Sequence, residues 1–123
     1  MPHPILCVDD SASIRQMVTF ALQSAGYSAV AAVDGLDALS KLNGAPFSLI
    51  ITDLNMPNLD GISMIRQVRT LSDYAGVPIV MLTTESDEAR KQEGKAAGAT
   101  GWLVKPFDPA KLRAVVAKLV GPA

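Results

Sequence analysis

Five short apolar runs rich in β-branched residues alternate with five segments of helical spacing, and that alternation settles most of what the chain can become. The runs are ILCV at 5–8, AVAAV at 29–33, LII at 49–51, IVML at 79–82 and WLV at 102–104. Such runs read as strands. Their near-continuous apolar character predicts burial on both faces, as in a parallel sheet covered by helices.

Between the runs, apolar residues recur at helical spacing. Ile14, Met17, Val18, Ala21 and Leu22 form one stripe, and Leu36, Leu39 and Leu42 a second. Ile62, Ile65, Val68 and Arg69 give a third, amphipathic pattern, and Leu112, Val115, Val116 and Leu119 the last stripe. An amphipathic stripe of this kind buries one helix face. Asp108-Pro109 reads as an N-cap followed by Pro at the first helical position, and Gly26, Gly44 and Gly121 stand where helices should stop. The segment 87–98, DEARKQEGKAAG, is the weakest helix, because its apolar residues are only alanines and Gly94 interrupts it. A glycine costs about 1 kcal/mol against alanine in a helix interior. A helix that packs lightly and can move is expected there, and a small-residue helix lying close to the sheet is compatible with the same residues.

Strand–helix–strand crossovers are almost always right-handed, so the expected fold is α/β: a doubly wound five-stranded parallel sheet with helices on both faces. With 123 residues the expectation is one domain, 1–123, with no output domain. A net charge of −1 gives no reason to expect nucleic acid or an anionic membrane as partner. The one cysteine, Cys7, lies in an apolar run and reads as a buried structural thiol. No secretory leader is recognisable in MPHPILCVDD and no run is long enough to span a bilayer, so a cytoplasmic location is expected.

Ligands of a doubly wound fold bind outside the carboxyl ends of the strands. Here those ends carry Asp9-Asp10, Asp53, Thr83-Thr84 and Lys105-Pro106. Three carboxylates gathered at one mouth repel one another unless they take up protons or a cation joins them. Mg²⁺, held by one or two carboxylates and completed by water and phosphate oxygen, suits such a set. A phosphoryl group at the same mouth would be met by Lys105 and Thr83. The chain has neither GxxxxGK[ST] nor GxGxxG, so the donor must bring its own leaving group, and a carboxylate can itself accept phosphate. Asp53 is then the nucleophile, with Asp9 and Asp10 holding the ion. Taken singly, each residue has a plainer reading. Asp10 or Ser11 can cap the first helix, Asp53 a turn before Pro57, Thr83 can bond to backbone, and Lys105 can be solvated.

Taken together, CVDDS at 7–11, DLNMPNLDG at 53–61, LTTES at 82–86 and KPF at 105–107 resemble a response-regulator receiver domain, most nearly the single-domain, CheY-like chemotaxis type. The resemblance covers essentially the whole chain. It implies the flavodoxin-like (βα)5 strand order 2-1-3-4-5, for which the receiver fold is itself a standard example. It implies that Asp53 is the phosphoacceptor, that Asp10 binds Mg²⁺ directly and Asp9 largely through water, and that Asn55 offers the ion its backbone carbonyl. Thr83 and Lys105 would contact the phosphoryl oxygens, the Lys105–Pro106 bond would be cis, and Trp102 would take the place of a switching Tyr or Phe. Asn55 and Glu85 would tune loss of the phosphoryl group toward fairly rapid turnover. Thr84, where a smaller Ala is common, would narrow access to Asp53.

The implied function is a two-component signalling switch and not an enzyme in its own right, although it assists its own Mg²⁺-dependent phosphorylation and dephosphorylation. The expected partners are a CheA-like sensor histidine kinase, a downstream protein such as the flagellar motor switch, and a phosphatase, with the chain a monomer. Phosphorylation would draw Thr83 inward, turn Trp102, and reshape the surface of the fourth helix, fifth strand and fifth helix. A relay that passes phosphate to a histidine phosphotransfer domain is the alternative. A dedicated hydrolase would want a second acid near the nucleophile, and Asn55 is not one. A pseudo-receiver would not need the full set of Asp9, Asp10, Asp53, Thr83 and Lys105.

Overall fold

A computed structural model of the protein describes residues 3–84 and 88–122. Its five strands are β1 (Ile5–Val8), β2 (Ala29–Ala32), β3 (Leu49–Asp53), β4 (Ile79–Thr83) and β5 (Gly101–Val104). The helices between and after them are α1 (Ala12–Ser24), α2 (Gly35–Lys41), α3 (Gly61–Thr70), α4 (Glu88–Ala97) and α5 (Pro109–Val120). All four strand pairings are parallel, in the order β2-β1-β3-β4-β5. The flavodoxin-like order implied by the resemblance is the order found.

Strand pleating divides the core in two, since successive side chains point to opposite faces. Leu6 and Val8 of β1, Ile50 of β3, and Ile79 and Met81 of β4 pack with Ile62, Met64, Ile65 and Val68 of α3. Ile5, Cys7, Leu49, Ile51, Val80 and Leu82 face the other way, toward Val18, Ala21 and Leu22 of α1 and Leu112 and Val116 of α5. Continuous apolar character therefore means two-sided burial in β1, β3 and β4, whose residues are all buried. It does not in the edge strands, where Ala31 and Trp102 are exposed.

Capping accounts for where the helices begin. Ser11 accepts from the Ile14 amide, Asp34 from Asp37, Asp60 from Ser63 and Asp108 from Lys111. Each satisfies an amide that has no partner within the helix. The second stripe holds in part. Leu42, just past the last turn of α2, is buried and Leu39 packs against the same core, but Leu36 is 54% exposed and Ala38 is the fully buried apolar side chain within the helix. Gly26, Gly44 and Gly121 do follow helices, with φ of 93°, 100° and 90°. The weak segment is a helix, α4, and the only buried residues among those described there are Lys91 and Gly94.

Candidate functional site

Parallel pairing brings the carboxyl ends of β1, β3, β4 and β5 to one edge. Asp9 follows β1 immediately, and its Oδ1 accepts from the Ser11 amide at 2.9 Å. Asp53 is the last residue of β3, and its Oδ1 accepts from the Leu54 amide at 2.9 Å. Oxygen atoms of Asp9, Asp10 and Asp53 lie within 4.8 Å of one another. Asp9 and Asp53 are buried and Asp10 is exposed, so the cluster opens to solvent on one side.

Lys105, at the end of β5, crosses this mouth. Its Nζ stands 3.2 Å from Asp53 Oδ1 and 3.4 Å from Asp9 Oδ2. Burial alone would lower the lysine pKa, but the two carboxylates outweigh it and hold the ammonium above its ordinary range. Asp9 shows the opposing effect. Burial raises its carboxyl pKa, the nearby Asp53 charge adds to that, and the Ser11 amide and Lys105 offset only part. One ammonium against three carboxylates leaves the mouth with excess negative charge, which a divalent cation would relieve. The Lys105–Pro106 peptide is cis.

Thr83 ends β4, and its Oγ1 is buried with no hydrogen-bond partner among the described residues. Buried hydroxyls are normally satisfied, so this one is available to an oxygen-rich group at the mouth. Thr84 is exposed at the rim. Asn55 is exposed two residues past Asp53, and its Oδ1 accepts from Arg90 Nη1 at 3.3 Å. Glu85 falls outside the described residues. Trp102 is 40% exposed, and Lys91 Nζ lies 5.7 Å from its ring centroid. Glu88 flanks the same ammonium at 3.4 Å. Cys7, beneath the site, has its thiol pushed up to about 12 by burial and then by Asp9, which makes it inert and bears out the structural reading.

Two residues at the mouth escaped the sequence reading. Arg15 Nη1 donates to the Asp9 carbonyl oxygen at 2.7 Å, bracing the strand end from α1. Arg90 reaches Asn55 from α4. Neither sits in a motif, and nothing in helical periodicity announces an arginine that points along a sheet edge. Arg69 emerged as a brace elsewhere. Its Nε and Nη2 donate to the Gly98 carbonyl at 3.0 and 2.8 Å, and its Nη1 to those of Tyr74 and Ala75 at 2.9 and 3.1 Å.

The family model of the response regulator receiver domain matches residues 5–117. Chemotaxis protein CheY1 of Helicobacter pylori is 34% identical over 119 residues, covering 95% of this chain and 96% of that protein. Transcriptional regulatory protein ResD of Bacillus subtilis is 40% identical over 105 residues, covering 85% of this chain and 42% of that protein. The chain thus spans less than half the length of the transcriptional regulators it matches. The solved structure of chemotaxis protein CheY4 of Vibrio cholerae, 50% identical, superposes with a TM-score of 0.91 over 97% of this chain and 99% of that one.

Proposed function

The chain belongs to the response regulator receiver domains of two-component signalling, and from that premise we propose that it accepts a phosphoryl group on Asp53 from a histidine kinase and answers by changing its α4–β5–α5 surface. The observation that carries this reading is the convergence on Asp53: Lys105 at 3.2 Å, Asp9 and Asp10 within 4.8 Å, and a buried Thr83 hydroxyl with no partner among the described residues.

The residues divide the work by charge. Asp53 is held by the Leu54 amide and Lys105 at one oxygen, Oδ1, which leaves Oδ2 to attack phosphorus. Lys105 supplies positive charge where the transferred oxygens gather it, and Thr83 donates to one of them. Asp9, Asp10, Asp53 and the Asn55 carbonyl would hold Mg²⁺, whose chemistry is to neutralise charge on the carboxylates and the phosphoryl oxygens. The donor set fits a hard cation, being all oxygen and mostly anionic.

The output reading rests on α4 and Trp102. With few buried side chains, α4 is inexpensive to shift. Movement of Thr83 toward the phosphoryl group would open space beside β4 into which Trp102 turns. Since Trp102 is the sole tryptophan of the chain, its fluorescence reports that turn directly. The proposed partners remain a CheA-like kinase and a chemotaxis target such as the flagellar motor switch. They are supported by likeness to chemotaxis proteins over nearly the full length of both chains.

Intact mass after incubation with acetyl phosphate, with and without Mg²⁺, tests the acceptor. One added phosphoryl group that requires both Mg²⁺ and Asp53, and is absent from Asp53→Asn, is the expected result. No addition in an assay fast enough for a short-lived adduct would make the chain an ion-binding pseudo-receiver. Unchanged Trp102 emission on phosphorylation would leave that residue a fixed contact.

A further inference from the structure

We propose that Arg90 is a specificity-determining residue of the phosphoryl site: a rim cation that selects doubly charged small phosphodonors over less charged ones. The inference rests on Asp53 being the acceptor.

Among the described cations near the mouth, each has a different commitment. Lys105 is engaged by Asp53 and Asp9. Arg15 is tied to the Asp9 carbonyl, and its charge is felt by Asp37 on the α2 side. Arg90 has no salt bridge with any described carboxylate. Among the described residues its one hydrogen bond runs from Nη1 to Asn55 Oδ1, at 3.3 Å, and its Nε is shut from solvent without a partner. The guanidinium is thus placed over the β3–α3 loop with no described carboxylate in ion-pair contact. Its field extends along that loop, where it helps the Ser63 amide and hydroxyl hold the Asp60 carboxyl below its ordinary range.

An anionic donor approaching Asp53 meets Asp10 and the remaining carboxylate charge first. A cation beside Asn55, two residues past Asp53, offsets that repulsion in proportion to the donor's charge. Acetyl phosphate carries about two negative charges at neutral pH, and phosphoramidate, whose nitrogen is protonated, about one net. In both reactions an Asp53 oxygen forms a new bond to phosphorus. The bond from phosphorus to the leaving group breaks, and its electron pair departs with acetate or with ammonia. The bond formed at Asp53 is the same and each leaving group is the same in wild type and variant, so a change in the donor ratio between them reports the approach. A unit charge several ångströms away across water changes an encounter by a factor of about 3 for a singly charged ion, and by about the square of that for a doubly charged one.

The test is the second-order rate of Asp53 phosphorylation by each donor, with Mg²⁺, at low and high ionic strength, in wild type, Arg90→Gln and Arg90→Lys. Arg90→Gln should lose about 9-fold with acetyl phosphate and about 3-fold with phosphoramidate at low salt. Both losses should shrink as the Debye length falls. Arg90→Lys should restore the acetyl phosphate rate and the donor ratio. Equal losses with both donors, or losses insensitive to salt, would make Arg90 a brace for Asn55 and overturn the selection role. No loss would overturn it also. A wild type that takes phosphate from neither donor would instead remove the acceptor reading on which the proposal stands.

Discussion

Helices α3 and α4 are each ten residues long and pack against each other, yet they are built on opposite principles. Helix α3 buries Ile62, Met64, Ile65 and Val68, so apolar area holds it. Helix α4 buries only a lysine and a glycine among its described residues, and is held by particular contacts. Gly94 lies so close to Met81 of β4 that a Cβ would overlap its sulfur. The turn after the helix is clamped by Arg69 through the Gly98 carbonyl, and among the described residues its first turns are held by Glu88–Lys91, Lys91–Trp102 and Arg90–Asn55. Helix α3 begins at Gly61, whose missing Cβ lets it sit against the Asp53 carbonyl, so the loop after Asp53 is fixed by the rigid element. The contrast suits the proposed switch: the helix beside Asp53 is held throughout, and the helix beside Trp102 has a firm end and a loose one.

The sharpest test of that contrast is truncation in α3. Ile65→Ala should cost about 3 kcal/mol in denaturant unfolding, since the side chain is fully buried and its loss leaves a cavity. Truncating Gln92, exposed on α4, should cost less than about 0.5 kcal/mol. Equal costs would break the comparison.

Next in size is Arg69→Ala. Its loss strips hydrogen bonds from three backbone carbonyls and should cost about 2 kcal/mol. Amide exchange should rise at the carboxyl end of α4 more than in α3. Uniform acceleration would mean that the clamp is not local.

Gly94→Ala sets about 1 kcal/mol of helix propensity against overpacking on Met81. A net loss of about 1 kcal/mol is expected, recovered in the Gly94→Ala, Met81→Ala double variant relative to Met81→Ala alone. If the alanine stabilises α4 in the unaltered background, the close approach to β4 is not what holds the helix.

The smallest effect is the pH dependence of the metal-free protein. The folded state binds the Asp9 proton more tightly than the unfolded chain does. Lowering the pH from neutrality through the folded Asp9 pKa should therefore add stability, down to the unfolded aspartate range near about 3.9. The capping residues Asp34 and Asp60, held low chiefly by backbone amides, contribute stability that is lost only below that range. Lys105, with its folded pKa raised, contributes at all pH values below the ordinary lysine range and loses its contribution as pH climbs through the folded value. Thermal melts in chelator between pH 7 and 5 should rise slightly for wild type and stay flat for Asp9→Asn. A fall in wild type over that interval would reverse the sign assigned to Asp9.

What the sequence determined by itself was local or additive. Period-two and period-3.6 apolar patterns named the strands and helices, Asp108-Pro109 named a helix start, and acids and a lysine at successive strand ends located the mouth before any fold was drawn. Such features depend on residues near one another in the chain, or on the rule that parallel strands end together. What only tertiary structure decided depended on which distant groups meet. Leu36, Leu39 and Leu42 looked alike in sequence, but only Leu39 and Leu42 pack on the core, and Leu36 stays in solvent. Arg15 and Arg90 looked like ordinary surface charges, and Arg69 like one member of a helix stripe, until the fold put Asp9, Asn55 and Gly98 in their reach. Lys91, a helix charge in sequence, became one of two buried residues of α4 because Trp102 on the edge strand gave its ammonium a ring to lie over. Long flexible side chains choose their partners across space, and no periodicity in the chain records that choice.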